Sequence, residues 1–366
     1  NAESLGRIRY LGVGGEHMAA QGLVSQFPLS DVAVMGPLSI LPRLPRIVGR
    51  VWRTADAAIA ADPDAVVIID SPEFTHPIAK RIRKKKPSIP IVNYVSPSVW
   101  AWRSYRAAKM KKYIDHVLAL LPFEPDAHKR LGGPPCTYVG HPLIERHEWL
   151  RNLDAAPLVK RLQLRPGAPV VVMLPGSRPS EVGRLMDDFL QAIRLVDTPT
   201  RPVEVIIPVV ESVRDLVEQK LAAARMRVHL TNTEEDKFRA FKLARVALAA
   251  SGTVTLELAL AGTPMVVAYK VDAIAAKLSF LVKVPSIVLP NLVLGRNVVP
   301  EYIQEHCSPQ NLAFALDELL RDSQNYLEQK AALAEIPNKL LLEDGGVPSE
   351  RAAAIVLKFA EKWRVS

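Results

Sequence analysis

The sequence is poor in the residues that would declare a function at once. Cysteine occurs only twice, as Cys136 and Cys307. Two thiols so far apart in sequence give no disulfide framework and no metal-ligand spacing, and such usage fits a reducing cytosol. No cluster of His, Cys and carboxylates has metal spacing either, so no metal and no cofactor are expected. The chain has no G-x-G-x-x-G and no Walker loop, which weakens dinucleotide and P-loop readings. Internal repeats and low-complexity tails are absent, which excludes solenoids and fibres. The opening residues, NAESLGRIRY, are polar and basic rather than a signal peptide. The longest nearly uncharged stretch, residues 246–269, carries Glu257 and is interrupted by Ser251, Gly252, Thr253, Gly262 and Pro264. It reads as strand, loop, helix, loop and strand, not as a membrane span.

What is present belongs to a folded protein with a full core: 49% hydrophobic and 23% charged residues. The length of 366 residues suggests two domains. Proline, 30 residues against 18 glycines, predicts many stiff loops. The net charge of +9 is unevenly placed: residues 43–112 hold 15 Lys/Arg and 5 Asp/Glu, so the rest of the chain is close to neutral. A basic region of this kind suits nucleic acid, an anionic membrane surface or a phosphorylated substrate. No aromatic-rich nucleic-acid motif accompanies it, so nucleic acid is not expected.

Continuous apolar runs alternate with helical patterns, as in parallel sheets buried on both faces. The runs are RIRYLGV, AVVIID, IPIVNYV, HVLALL and TYVG, then VVVML, VEVIIP, RVHLT, VALAAS, PMVVAY and SIVLP. The polar, turn-rich stretch 147–169 separates the two series. An α/β protein of two doubly wound, Rossmann-like domains follows, with a ligand expected in the cleft between them. The expected division is 1–146, 147–345, and a C-terminal helix over 346–366 that packs back on the first domain.

Five segments could carry chemistry. In LPGSRPSEV, 174–182, an apolar strand turns through Gly176 and Ser177 into a helix opened by Pro179. Exposed N–H groups there favour an anion, and Arg178 adds a fork for phosphate. The alternative is a simple capped helix start. In ASGTVTLELALAGTP, 250–264, a second strand meets Ser251, Gly252 and Thr253, with Thr253 expected as N-cap. Glu257, one turn later, could accept from ribose hydroxyls or merely complement the dipole. Two such turns in one domain resemble a nucleotide diphosphate pocket. In VVIIDSPEF, 66–74, Asp70 ends a strand expected to be buried, where a general base could have its pKa set by burial; Glu73 follows. In NYVSPSVWAWRSYRAAKMKK, 93–112, Trp100 and Trp102 precede a basic helix face beginning at Arg103. Finally, Arg46, Arg50 and Arg53 share a helix face beside Ile47, Val48, Val51 and Trp52, preceded by Leu38, Ile40, Leu41 and Leu44. That pattern suits an anionic membrane interface or an acyl chain, and equally an ordinary core-facing helix. His141, a lone histidine in Gly140-His141-Pro142, is expected to be structural.

Taken together, YVSPSVWAWR, LALLPFEP, YVGHPL, LPGSR-x-x-E, ASGT-x-x-LELALAGTPMVVAY and LPNL-x-L-GR resemble the lipid-A-disaccharide synthase family in order and spacing. The resemblance spans nearly the whole chain. It implies a GT-B glycosyltransferase fold and an inverting, metal-independent reaction. UDP-2,3-diacylglucosamine and 2,3-diacylglucosamine 1-phosphate would give the β-1,6-linked disaccharide 1-phosphate and UDP. It also implies roles: Asp70 as general base with Glu73 as the second acidic position, Arg178 on the UDP diphosphate, Asn291 in the same cleft and Glu257 on the ribose. Ser96, Trp100, Trp102, Arg103, Arg46, Arg50 and Trp52 are expected to meet the acceptor, its acyl chains or the membrane. A peripheral protein on the cytoplasmic face of the inner membrane is expected, with a homodimer possible. The family's opening strand, its A-G-E-x-S-G-D loop and the helix after it have no counterpart here, so a fragment that binds UDP but turns over poorly is expected. Other UDP-sugar GT-B enzymes share the two strand-to-helix turns but lack SPSVWAWR.

Overall fold

The computed structural model describes residues 8–32, 44–272 and 284–365. Leu38, Ile40 and Leu41 lie outside the described residues. The chain divides into two units, residues 1–139 with 346–366, and residues 140–345. The division falls at Val139/Gly140 rather than at 146/147. His141 accepts the Leu143 N–H at 3.2 Å and so caps the turn Pro142–Arg146. Arg146 then pairs with Glu234 at 2.5 Å, and Trp149 stacks edge-on against Phe238, tying this stretch to the second unit.

The first unit is built on a parallel sheet of β1 (Val66–Ile69), β2 (Ile91–Tyr94), β3 (His116–Ala119) and β4 (Cys136–Tyr138), in that order. Helix α1 (Leu44–Ala61) puts Val51 and Ala55 into the core, and α2 (Pro72–Lys85) adds Ile78, Ala79 and Ile82. Helix α3 (Glu124–Arg130) follows β3. On another side, Val92, Leu118 and Val139 meet Ala352, Ile355, Val356 and Phe359 of the C-terminal helix, Pro348–Val365. Among the described residues of RIRYLGV no strand forms; only Gly12 makes an isolated bridge, to Ser25.

The second unit holds six parallel strands: β5 (Val170–Leu174), β6 (Glu204–Pro208), β7 (His229–Thr231), β8 (Ala244–Ala250), β9 (Met265–Tyr269) and β10 (Glu301–Ile303). Their order is β10-β9-β8-β5-β6-β7. Every residue of β5 is buried, as expected of a central strand covered on both faces. The chain leaves β5 in one direction for β6 and β7, then returns to its other side for β8. The neighbours β5 and β8 therefore form the topological switch point, where doubly wound folds bind their ligands. Helix α4 (Pro179–Val196) follows β5, α5 (Glu234–Leu243) follows β7, and α6 (Val254–Leu260) follows β8. SIVLP is not a strand: Pro290 stands in the first turn of helix α7, Leu289–Leu294, where its missing N–H costs nothing.

Candidate functional site

The second unit presents its two expected turns side by side at the switch point. Gly176 leaves β5 with φ +120°, and a Cβ there would come within 2.4 Å of the Glu181 Cβ. Only glycine fits both the angle and the approach. That approach lets Glu181, one turn into α4, fold back over the loop. Its Oε2 accepts the Ser177 N–H at 3.1 Å, and its Oε1 accepts from Arg178 Nη1 at 2.8 Å. Ser177 and Arg178 remain exposed at the mouth of the turn. The half-buried Tyr269 phenol at the end of β9, its pKa raised by burial, feels the charges of Glu181, Arg178 and Arg184, so the end of β9 lies near the turn that follows β5.

At the second turn, Gly252 has φ +152° and nothing within 4 Å of the position a Cβ would take, leaving open room over the backbone. Ser251 Oγ donates to the Ile287 carbonyl at 2.7 Å, which spends its hydroxyl on the chain. Thr253 does not cap α6 with its side chain. Thr255 Oγ1 instead donates to the Gly252 carbonyl at 2.8 Å, and the exposed Thr253 hydroxyl faces outward. The Glu257 carboxylate lies 2.9 Å from Lys237 Nζ, both partly buried. This lysine partner, from α5, was invisible in the sequence because twenty residues separate the two.

Asn291 does not present its side chain to a ligand. It is 2% exposed and its amide is fully engaged. Nδ2 donates to Ser286 Oγ at 3.1 Å and to the Val299 carbonyl at 2.9 Å, while Oδ1 accepts the Val298 and Val299 N–H groups, both at 2.9 Å. It fixes the 286–299 loop beside Ser251's partner Ile287 and acts on the site only through that loop.

The first unit gathers its polar residues at the carboxyl ends of β1 to β3. Asp70 is exposed, not buried: among the described residues β1 is the outer strand of its sheet, and its Val67 and Ile69 are themselves about 40% exposed. Asp70 and Ser71 both take left-handed backbone, φ 47° and 42°. For non-glycine residues this is strained, and strain of this kind clusters at functional sites. The Asp70 N–H donates to the Tyr94 carbonyl at 3.1 Å, and its carbonyl accepts from Thr75 Oγ1 at 2.7 Å. The backbone is thus pinned on both sides and the carboxylate is left facing solvent. Glu73, in the first turn of α2, is not a second free base, since Arg106 lies 2.7 Å and Arg103 3.7 Å from its Oε1.

Two expected acceptor contacts are consumed inside the unit. Ser96 is 7% exposed, with its Oγ 2.9 Å from His128 Nε2 and 3.0 Å from the Pro97 carbonyl. Trp100 stacks edge-on against Phe123 and donates its indole N–H to Glu124 at 3.1 Å. Glu124, absent from the expected site, is the hub of this loop. It also accepts the N–H groups of Leu120 and Leu121, at 3.1 and 3.0 Å. Burial raises its pKa to about 7, against the pull of those hydrogen bonds. Trp102, by contrast, is 44% exposed, with the Arg103 guanidinium 4.1 Å above its ring.

Of the α1 residues, Arg50 is not available to a membrane. It pairs with Asp31 at 2.5 Å and stacks over Phe27 at 4.4 Å. Arg46 is 68% exposed with a long 3.9 Å contact to the same Asp31. Trp52, 56% exposed, stands beside exposed Val48 and Arg53. Among the described residues no helix is long and apolar enough to cross a membrane, and no group of three His, Cys, Asp or Glu could hold a metal ion.

Comparison with known proteins connects these features. A family profile described as lipid-A-disaccharide synthetase matches residues 2–349. The lipid-A-disaccharide synthase of Nitrobacter hamburgensis is 47% identical over 353 residues, covering 96% of this chain and 88% of that protein. That of Nitrobacter winogradskyi is 48% identical over 358 residues, covering 98% and 89%. UDP-GlcNAc 2-epimerase from Neisseria meningitidis, solved with UDP-GlcNAc, superposes with a TM-score of 0.62 at 14% identity, covering 92% of this chain and 86% of that one. At that identity the last match speaks to the fold alone, and the fold is GT-B. Nearly full-length identity to the synthases, on a GT-B scaffold with strand-end turns at its switch point, places the chain in the lipid-A-disaccharide synthase family, a glycosyltransferase of lipid A disaccharide synthesis.

Proposed function

We propose that the chain transfers the sugar of UDP-2,3-diacylglucosamine to the 6-hydroxyl of 2,3-diacylglucosamine 1-phosphate, with inversion at the anomeric carbon. The hydroxyl oxygen attacks that carbon, its proton passes to the Asp70 carboxylate, and the bond to the diphosphate breaks with its electron pair leaving on UDP. The observation that carries the reading is the strained, pinned Asp70, whose carboxylate faces outward at the end of β1. A carboxylate held this way can take a proton without first giving up a protein partner.

On the donor side, the exposed Arg178 guanidinium and the start of α4 suit a diphosphate, and they would stabilise the charge that grows on the leaving UDP. Glu257, steadied by Lys237 at 2.9 Å, would accept from the ribose hydroxyls. The exposed Trp52 and Val48, flanked by Arg46 and Arg53 on α1, suit an anionic bilayer surface and support a peripheral protein on the inner leaflet of the inner membrane.

The test is UDP release from UDP-2,3-diacylglucosamine with the monophosphate acceptor in detergent micelles. We expect Asp70→Ala to abolish whatever turnover the chain shows, with UDP affinity retained. Turnover that survives Asp70→Ala would remove the proposed base.

A further inference from the structure

The pairing of Glu73 is lopsided. Two guanidinium groups, of Arg106 at 2.7 Å and Arg103 at 3.7 Å, approach a single oxygen of one carboxylate that is itself 74% exposed. One negative charge answers two positive ones, and the arrangement is open to solvent. Both guanidinium groups also lie over the Trp102 ring, at 4.1 and 6.0 Å from its centroid. The aromatic face holds them together against their mutual repulsion. Arg103 reaches its place with φ +50°, and Val95, at the start of the same loop, has φ +72°. A β-branched residue in that region is a genuine outlier, so the loop is held in a costly shape. Glu124, bonded to the Trp100 indole at 3.1 Å, pins it from beneath.

A paired arginine fork of this kind matches the oxygens of a phosphate better than one carboxylate oxygen. It stands at the ends of β1 and β2, three residues from Asp70 in sequence through Glu73. We propose that Arg103 and Arg106 form the subsite for the phosphate monoester of the acceptor sugar, with the Glu73 carboxylate as a placeholder that this phosphate displaces. The inference rests on the acceptor reading above and deepens it. The clamp holds the acceptor by its phosphate and so sets which hydroxyl reaches Asp70. Arg106, read from the sequence only as part of a basic helix face, is the better-buried half of the clamp, at 24% exposure against 41% for Arg103.

The experiment titrates the quenching of tryptophan fluorescence by glucosamine 1-phosphate, by glucosamine and by UDP, in the wild type and in Arg106→Ala, Arg103→Ala and Glu73→Gln. Two charge-assisted contacts predict that each arginine variant weakens glucosamine 1-phosphate about tenfold to a hundredfold. Glucosamine and UDP should change by less than about twofold, and Glu73→Gln should tighten the phosphorylated sugar severalfold by removing its competitor. In turnover, Arg106→Ala should raise the KM for the 1-phosphate acceptor and leave that for the unphosphorylated acceptor unchanged. Equal affinity of the wild type for glucosamine and its 1-phosphate would overturn the proposal, as would arginine variants that weaken both alike. A third arm uses vesicles of phosphatidylglycerol, whose phosphate is a diester. If the arginine variants lower vesicle binding but leave glucosamine 1-phosphate unaffected, the clamp serves the bilayer and the proposal falls. The titrations need no turnover, so a chain that binds the phosphorylated sugar through Arg106 yet releases no UDP would refute the transfer reading while keeping the subsite.

Discussion

The two units furnish the ends of their parallel strands by different means. The second unit does it with backbone. Its central strand β5 is wholly buried, and its two turns at the switch point depend on glycines at φ +120° and +152°. Their polar side chains are largely spoken for: Ser251 by Ile287, Asn291 by its own loop, Glu257 by Lys237. The first unit does it with side chains. Its β1, the outer strand among the described residues, is half-exposed, and Asp70, Glu73, Trp102 and Arg103 stand in solvent around it. A donor diphosphate is the same for every sugar nucleotide, so a fixed cradle of N–H groups suits it. An acylated, phosphorylated acceptor asks for charge and apolar surface, which side chains supply.

The largest expected effect falls on the first unit. Asp70→Ala should cut turnover by about 10²–10⁴ while UDP still binds, the loss expected of a general base. Measured by UDP release beside a UDP titration, it would separate the two units cleanly; a matching loss of UDP affinity would erase the distinction. Gly176→Ala should do the converse. The new Cβ collides with Glu181 at 2.4 Å in a left-handed turn, at a cost of about 1–3 kcal/mol. UDP affinity should fall about tenfold or more, while binding of glucosamine 1-phosphate stays put.

Smaller effects sharpen the contrast within the first unit. Burial raises the Glu124 carboxyl to about 7. Its proton is therefore held more tightly in the folded chain, and its contribution to stability is full at acid pH and declines as pH rises toward 7. The buried His76, and His141 at the start of the second unit, each lowered to about 4 by burial, act the other way and favour the fold as pH rises from 4 to the ordinary histidine range. Glu124→Gln should remove the first contribution alone. Its melting temperature should lie below the wild type's at pH 5, and the gap should narrow by pH 8; a gap independent of pH would contradict the buried proton. Smallest of all, Trp52→Ala should change stability by about 0.5 kcal/mol or less, as at other exposed sites, yet reduce cosedimentation with phosphatidylglycerol vesicles.

Much of this protein was legible in its sequence. All eleven apolar runs were read as strands from periodicity and flanking turns; nine of them are strands here, while SIVLP and the described residues of RIRYLGV are not. SIVLP failed because a short apolar run does not tell strand from helix start, and Pro290 with the Asn291 loop decided it. The three-residue β10, behind Pro300, was too short to notice. The turns at Gly176 and Gly252 were legible because a strand, a glycine and a helix start are adjacent in the chain. Asp70 was legible in position but not in exposure, since only the sheet order shows β1 outermost among the described strands.

The sequence by itself determined the two series of parallel strands, the glycine turns and the placement of basic charge in 43–112, because each rests on neighbours along the chain. The tertiary structure alone decided which polar groups are spent and which remain. Arg50 and Asp31, Lys237 and Glu257, Trp100 and Glu124, and Arg106 and Glu73 each meet across a gap in sequence. A charge or hydroxyl becomes a tool or a strut according to the partner within about 3 Å, and the chain must fold before that partner arrives.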